Sequence, residues 1–262
     1  GERDPEVLAG LRDRRCRSPK QAVVEALRGD YRPEYLFVLD QCRKIHLQLR
    51  AAIAECDEQI GKLAAGVKCE VVCGELPEAP KAQHKLSKNS PQFEVFKAAW
   101  RFYGVDLSSV PGISAAVLCA LMSEVGNRQQ LLEAFPTPER FASWMGLCPD
   151  NRISGGRLLK AKTRKVKSRL AGALRLGVFG LQKSQTAMGG YLRRMKGRLG
   201  KAEGTTAAAH KLARIIHGMI KSQKPYDEKD AFKLTPQSEA RRRRALEKQA
   251  AALGLTLQPM AA

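Results

Sequence analysis

One serine, Ser154, stands directly before two glycines and between two arginines in the stretch Asn151–Arg169, Asn-Arg-Ile-Ser-Gly-Gly-Arg-Leu-Leu-Lys-Ala-Lys-Thr-Arg-Lys-Val-Lys-Ser-Arg. Gly155 and Gly156 lack a Cβ, so the backbone here turns sharply and lets a ligand approach closely. Arg152 and Arg157 each offer a planar fork of donors that suits a phosphate. A serine hydroxyl is a weak nucleophile until its proton is taken or its anion is stabilised, and neighbouring cations favour the anion. Lys160, Lys162, Arg164 and Lys165 follow as a basic run that reads as the start of a helix. The chemistry this suggests is attack on, or grip of, a phosphodiester. The rival reading is plain: Ser and Gly are ordinary turn residues, and Ser-Gly-Gly is then only a bend before a helix.

The surroundings bear on that choice. The chain has 262 residues, 44% of them hydrophobic, and a formal net charge of +20. An excess of cations on this scale implies a polyanionic partner, most simply nucleic acid. It is also uneven: residues 151–202 hold 15 Lys and Arg and no acid, whereas residues 1–104 hold 15 Asp and Glu. A membrane is the rival polyanion, but no apolar run reaches the roughly 18 residues of a span, so a cytoplasmic protein without a membrane partner is expected.

Metal chemistry finds little support in the residues. The seven cysteines stand at 16, 42, 56, 69, 73, 119 and 148, an odd number, several within apolar helical patterns, which suits reduced thiols. Cys69 and Cys73 with His84 are short of the four ligands of a structural zinc site. Between Val105 and Ala202 the acids are Asp106, Glu124, Glu133, Glu139 and Asp150, without the paired spacing that two metal ions need. No metal site or cofactor is expected in this chain.

The elements that must position Ser154 read as mostly α. Asp4-Pro5 and Ser18-Pro19 each start a short helix. Arg32-Pro33 opens a long one to about Ala65, in which Leu36, Leu39, Ile45, Leu49, Ile53, Ile60 and Leu63 recur near helical spacing. Such a rod, about 45–50 Å long, is either a coiled-coil arm or one arm of an intramolecular hairpin. Residues 66–91 read as a linker. Helices are predicted at about 92–103, 160–183, 189–199 and 205–221, the last capped by Thr205 or Thr206. Between them, Val110-Pro111-Gly112-Ile113 followed by a small-residue helix ending at Gly126 looks like a helix-hairpin-helix unit, whose free backbone N–H groups suit a phosphate. The rival is a tight corner that serves packing alone. His210 and His217 share a helical face and read as packing or surface residues. The domains are thus 1–65 (helical arm), 66–91 (linker), 92–226 (compact helical domain) and 227–262 (basic tail with Arg241–Arg244).

These stretches, in this order, resemble the insertion-sequence-110 family of bacterial transposases. Gly-Glu-Arg-Asp-Pro-Glu-Val-Leu-Ala-Gly-Leu-Arg-Asp and Gly-Asp-Tyr-Arg-Pro-Glu-Tyr-Leu-Phe-Val-Leu look like its middle region, and Ile-Ala-Glu-Cys-Asp-Glu-Gln-Ile like the end of its coiled coil. Gly-Val-Asp-Leu-Ser-Ser-Val-Pro-Gly-Ile, Phe-Ala-Ser-Trp-Met-Gly-Leu-Cys-Pro, Ile-Ser-Gly-Gly and Ala-His-Lys-Leu-Ala-Arg look like its C-terminal transposase domain. The likeness runs to about Tyr226, and its collinear order is more specific than any single motif. It implies a serine nucleophile, matched here by Ser154, and a homo-oligomer assembled on a structured bridge RNA that pairs with DNA. It also implies an N-terminal RuvC-like domain whose carboxylates hold Mg²⁺. The family's middle region is under way at Gly1, so that domain is expected to lie outside this sequence. The implied setting is a bacterial nucleoid.

Two functions of different kinds follow: the serine-bearing part of an RNA-guided DNA recombinase, or a non-catalytic helical module that grips nucleic acid through Pro111, Gly112, Arg152, Gly155, Gly156, Arg157, Lys160, Lys162, Arg164 and Lys165. A dimerising scaffold built on residues 32–65 is a third. Both nucleic-acid readings predict strong salt dependence. If about five of the cations in residues 151–202 meet phosphates, log affinity for duplex DNA falls against log salt with a slope of about −4 to −5. Replacing Lys162 and Lys165 together by Glu weakens binding to all sequences alike, because phosphate contacts position without reading bases. Filter binding across a salt series checks both, and a slope near zero contradicts them.

Overall fold

The computed structural model describes residues 1–67, 90–233 and 236–256, with the backbone alone for residues 152, 153, 158, 160–162, 236–239, 241 and 242. The pair Cys69 and Cys73, with His84, lies outside the described residues, as does most of the 66–91 linker. The fold is mostly α, as expected. In chain order come α1 (Pro5–Gly10), α2 (Lys20–Ala26), α3 (Pro33–Gly66), α4 (Val95–Tyr103), α5 (Ala115–Val125), α6 (Arg128–Ala134), α7 (Pro138–Trp144), β1 (Pro149–Ser154), β2 (Arg157–Thr163), α8 (Arg169–Phe179) with a 3-10 turn at Gly180–Lys183, α9 (Ala187–Leu199), α10 (Lys201–Ser222), α11 (Glu228–Ala231) and α12 (Pro236–Ala252). The chain divides into two compact units, Gly1–Cys56 and Asp57–Ala262, with the boundary inside α3.

In the first unit, Asp4 caps α1 by accepting the Glu6 N–H with Pro5 in the first turn, and Ala9 and Val24 are buried. Ser18 does not cap α2; Pro19 takes the cap position without a side-chain bond. The stripe on α3 that reads as a seam is exposed in the single chain, at Leu39, Ile45, Leu49 and Ile53.

The second unit is assembled around α10. Its Ala208, Ala209, Leu212, Ala213, Ile216 and Ile220 are fully buried against α6, α7, α8 and α9. Burying each large aliphatic side chain contributes about 1.5–3 kcal/mol. Gly204 lets α9 come close: a Cβ there would stand 2.5 Å from the Lys196 backbone nitrogen. Side-chain caps fix most helix starts. Ser114, Thr137, Ser168 and Thr186 each accept an N–H from the first turn, and Asn127 with Gln130 forms a capping box. Each such cap is worth about 1 kcal/mol. His217 is buried, with Nε2 2.7 Å from the Phe135 carbonyl oxygen. Burial lowers its pKa, so the neutral ring donates that bond near neutral pH.

Two helix predictions need correction. The helix expected from Lys160 begins at Arg169, and residues 160–163 belong to a strand. Two successive glycines at positive φ fold the chain back on itself, and Ser168 supplies the true cap. The helix expected at 205–221 starts at Lys201, not at Thr205. Thr205 and Thr206 sit inside it, their hydroxyls donating to the Lys201 and Ala202 carbonyls one turn back, a bond that threonine makes as readily as a cap.

The carboxylate of Glu124, at the end of α5, gathers the start of α8. It accepts from the Ser168 hydroxyl at 2.9 Å and from the N–H groups of Arg169 and Leu170 at 2.7 and 3.2 Å. Its side chain is 13% exposed. Burial raises its pKa, but these donors together hold it below the usual carboxylate range. A carboxylate whose folded pKa is depressed stabilises the fold above its unfolded value, and that stability is lost as pH falls through the folded one. Glu124→Ala therefore destabilises the protein by about 1–3 kcal/mol at pH 7, the cost of orphaned buried donors. The gap to wild type narrows below about pH 4.5, as urea melts over a pH series would show.

Candidate nucleic-acid interface and serine hairpin

The basic stretch around Ser154 is an antiparallel hairpin. Its register pairs Pro149 with Thr163, Asp150 with Lys162, Asn151 with Ala161, Arg152 with Lys160, Ile153 with Leu158 and Ser154 with Arg157. The loop is two residues long, and both Gly155 (φ +53°) and Gly156 (φ +74°) are left-handed. That is a type I′ turn, whose twist matches the strands it joins. A Cβ on either glycine would meet open space, so the turn, not crowding, requires glycine. The register steps between Ile153↔Leu158 and Arg152↔Lys160. Leu159 is therefore the extra residue of a bulge, and it is exposed.

Ser154 and Arg157 are direct cross-strand partners at the tip, and both are exposed. Such partners project from one face with Cβ atoms about 4.5–5.5 Å apart, within range for one phosphate to meet both a hydroxyl and a guanidinium. Among the described residues no hydrogen bond reaches the Ser154 hydroxyl. Arg152, Lys160 and Lys162 lie on the same hairpin by their backbone, and their side chains lie outside what is described. Lys165 is exposed just beyond β2. One guanidinium nitrogen of Arg164 donates to the Ser143 carbonyl at 2.6 Å and to its hydroxyl at 3.0 Å, which ties the root of β2 to α7. Gly146 (φ +65°) completes this root, packed against Val166 and the Arg164 carbonyl.

The Pro111-Gly112 turn lies elsewhere, in the segment between α4 and α5. Gly112 (φ +96°) rests on α8: a methyl on Gly177 would run into its carbonyl oxygen, and Leu181 stands beside it. The Ile113 N–H is used within the turn, donating to Val110, and Ser114 caps α5. The turn thus has a packing role, and Pro111 and Gly112 remain partly exposed.

One arrangement was not legible from spacing. Phe179, at the end of α8, is 61% exposed, and the Lys196 ammonium of α9 stands 4.8 Å from its ring centroid. Seventeen residues and a change of helix separate the two, so no periodicity signals the pair. For metals, no group of three or more His, Cys, Asp or Glu able to hold an ion occurs among the described residues. No helix among them is long and apolar enough to cross a membrane.

If the hairpin tip depends on two left-handed residues, Gly155→Asn preserves it, because asparagine tolerates that conformation, whereas Gly155→Val costs at least about 1–2 kcal/mol of backbone strain. Amide exchange across residues 149–163 reads this directly: protection is kept in the Asn variant and lost in the Val variant.

No curated protein and no solved structure matches the chain. Residues 106–183, under a third of the chain and including the serine hairpin, match the model of the Transposase IS116/IS110/IS902 family.

Proposed function

We propose that this chain supplies the serine nucleophile of an RNA-guided DNA transposase and binds its nucleic acids through the basic hairpin. The observation that carries the reading is the exposed Ser154 hydroxyl opposite Arg157, at the tip of a type I′ hairpin inside the family-matched segment. In the reaction the Ser154 Oγ–phosphorus bond forms as one phosphorus–oxygen bond to a sugar breaks. The serine proton leaves to a base, and the departing sugar oxygen takes up a proton. The phosphoserine ester keeps the phosphodiester's free energy, and attack by a new DNA hydroxyl reverses the step and frees Ser154. Negative charge gathers on the non-bridging oxygens, where Arg157, and Arg152 from β1, act as fixed cations. Gly155 and Gly156 leave the approach to the phosphate free of side chains.

The exposed apolar stripe of α3 supports a homo-oligomer, since leucine and isoleucine at helical spacing gain by pairing with another helix. A bridge RNA is the second polyanion that the cation excess would serve, in a cytoplasmic, nucleoid-associated enzyme. In the intact family Mg²⁺ would act from carboxylates beyond those described here. The second reading, a non-catalytic nucleic-acid module, is favoured by one feature: the solvent-exposed serine has no described hydrogen-bond partner to activate it.

Covalent trapping separates the two. In the complete transposase, DNA with a strand that cannot religate yields a protein–DNA adduct stable to denaturation, and Ser154→Ala abolishes it. The serine is on a strand end and caps no helix, so the same variant changes stability by no more than about 0.5 kcal/mol and DNA affinity by no more than about twofold. An adduct or strand transfer that survives Ser154→Ala would return the serine to the role of a turn residue.

A further inference from the structure

The face of α8 that leads into the 3-10 turn is a place where apolar side chains stand in water beside cations. Leu176 is 75% exposed and Phe179 61% exposed. Gly172, one turn before Leu176, and Gly180, beside Phe179, would both place a Cβ in open space, so this side of the helix is smooth and uncovered. Lys183 is exposed one turn on. Lys196 reaches across from α9, its ammonium 4.8 Å from the Phe179 ring centroid and donating to the Gln182 side chain. Arg193 holds the two elements together by donating to the Gln182 and Ser184 carbonyls at 3.2 and 2.6 Å. The stretch that bears the rim, residues 151–202, contains no acid, and Glu228 reaches its border at the Ala187 N–H. The Gly112 turn borders the same surface through Leu181 and Gly177.

We propose that this face is a docking site for single-stranded DNA, with an unpaired base stacked on Phe179 against Leu176, and Lys183 and Lys196 on the flanking phosphates. An aromatic ring beside cations is the arrangement by which proteins hold unpaired bases. A duplex offers this surface no such contact, because its bases already stack on one another and present only their edges. A protein partner fits less well: a stable protein interface covers about 800 Å² on each side, far more than two apolar side chains provide, and the rim is of one sign. The inference rests on the proposed reading only in taking DNA as the ligand. It does not depend on the chemistry of Ser154.

The test uses the full chain with a fluorescent 20-nucleotide single strand and the matching duplex, followed by anisotropy. Phe179→Ala lowers single-strand affinity about 5- to 150-fold, the range for one stacked base, and leaves duplex affinity within about twofold. Phe179→Trp restores single-strand binding. Because the ring is exposed, circular dichroism melts of the three proteins coincide. Equal loss on single strand and duplex, or no loss on either, overturns the proposal. So does a change in sedimentation with unchanged single-strand affinity, which would assign the face to a protein partner. The serine reading fails separately: an adduct that survives Ser154→Ala beside a selective single-strand defect in Phe179→Ala sinks that reading and leaves this one standing.

Discussion

A single carboxylate decides where the basic hairpin can sit. Glu124 ends α5 and accepts the first N–H groups of α8 together with the Ser168 cap. A helix start leaves N–H groups without partners and carries a partial positive charge, so an anion there is favoured twice, by hydrogen bonding and by the dipole. With α8 fixed at Ser168, only residues 164–167 remain to return from β2. Arg164 fastens that return to Ser143 on α7, and the left-handed Gly146 receives Val166. Both strands of the hairpin are thereby rooted on the helical core while the tip projects into solvent. A loop tied only at one end would spread Ser154 over many positions; rooting both strands limits it to the few that hairpin twist allows.

That placement has an electrostatic consequence. At an exposed tip the cation near Ser154 acts through water, where two charges 4 Å apart interact by only about 1 kcal/mol. In the proposed reaction, Arg157 would therefore act weakly on Ser154 in water and more strongly wherever a bound phosphodiester displaces that water. In that same proposed reaction, Ser154 would gain its activation only where a bound phosphodiester completes the site.

The cations are organised in two different settings. Those on and just after the hairpin accompany an extended backbone. Those on the 3-10 turn and α9 accompany an uncovered Leu176–Phe179 face. Both surfaces belong to the acid-free stretch from 151 to 202, and the intervening α8 buries its other face in the core through Leu170, Leu174 and Val178. One helix thus joins two basic surfaces while its apolar side supplies the packing energy that holds them.

Much of this was legible in the residues themselves. The mostly α architecture, the long helix from Pro33, the cap at Asp4 and the stops at Gly104 and Gly126 follow from periodicity, capping chemistry and glycine, all of which act over a few residues. The turn at Gly155-Gly156 was legible too, but the strands on either side and the cap at Ser168 were not: the cation spacing of Lys160 to Lys165 suits a helix as well as a strand, and local propensity alone does not choose between them. Tertiary structure decided that choice, because the chain must double back at the glycines to bring Arg164 to Ser143 and Ser168 to Glu124. It also decided that Thr205 and Thr206 bond backwards inside a helix, that the Gly112 turn rests on Gly177, and that Lys196 meets Phe179. Each of these joins groups far apart in sequence or depends on what covers a face, and no short-range pattern of residue types carries that information.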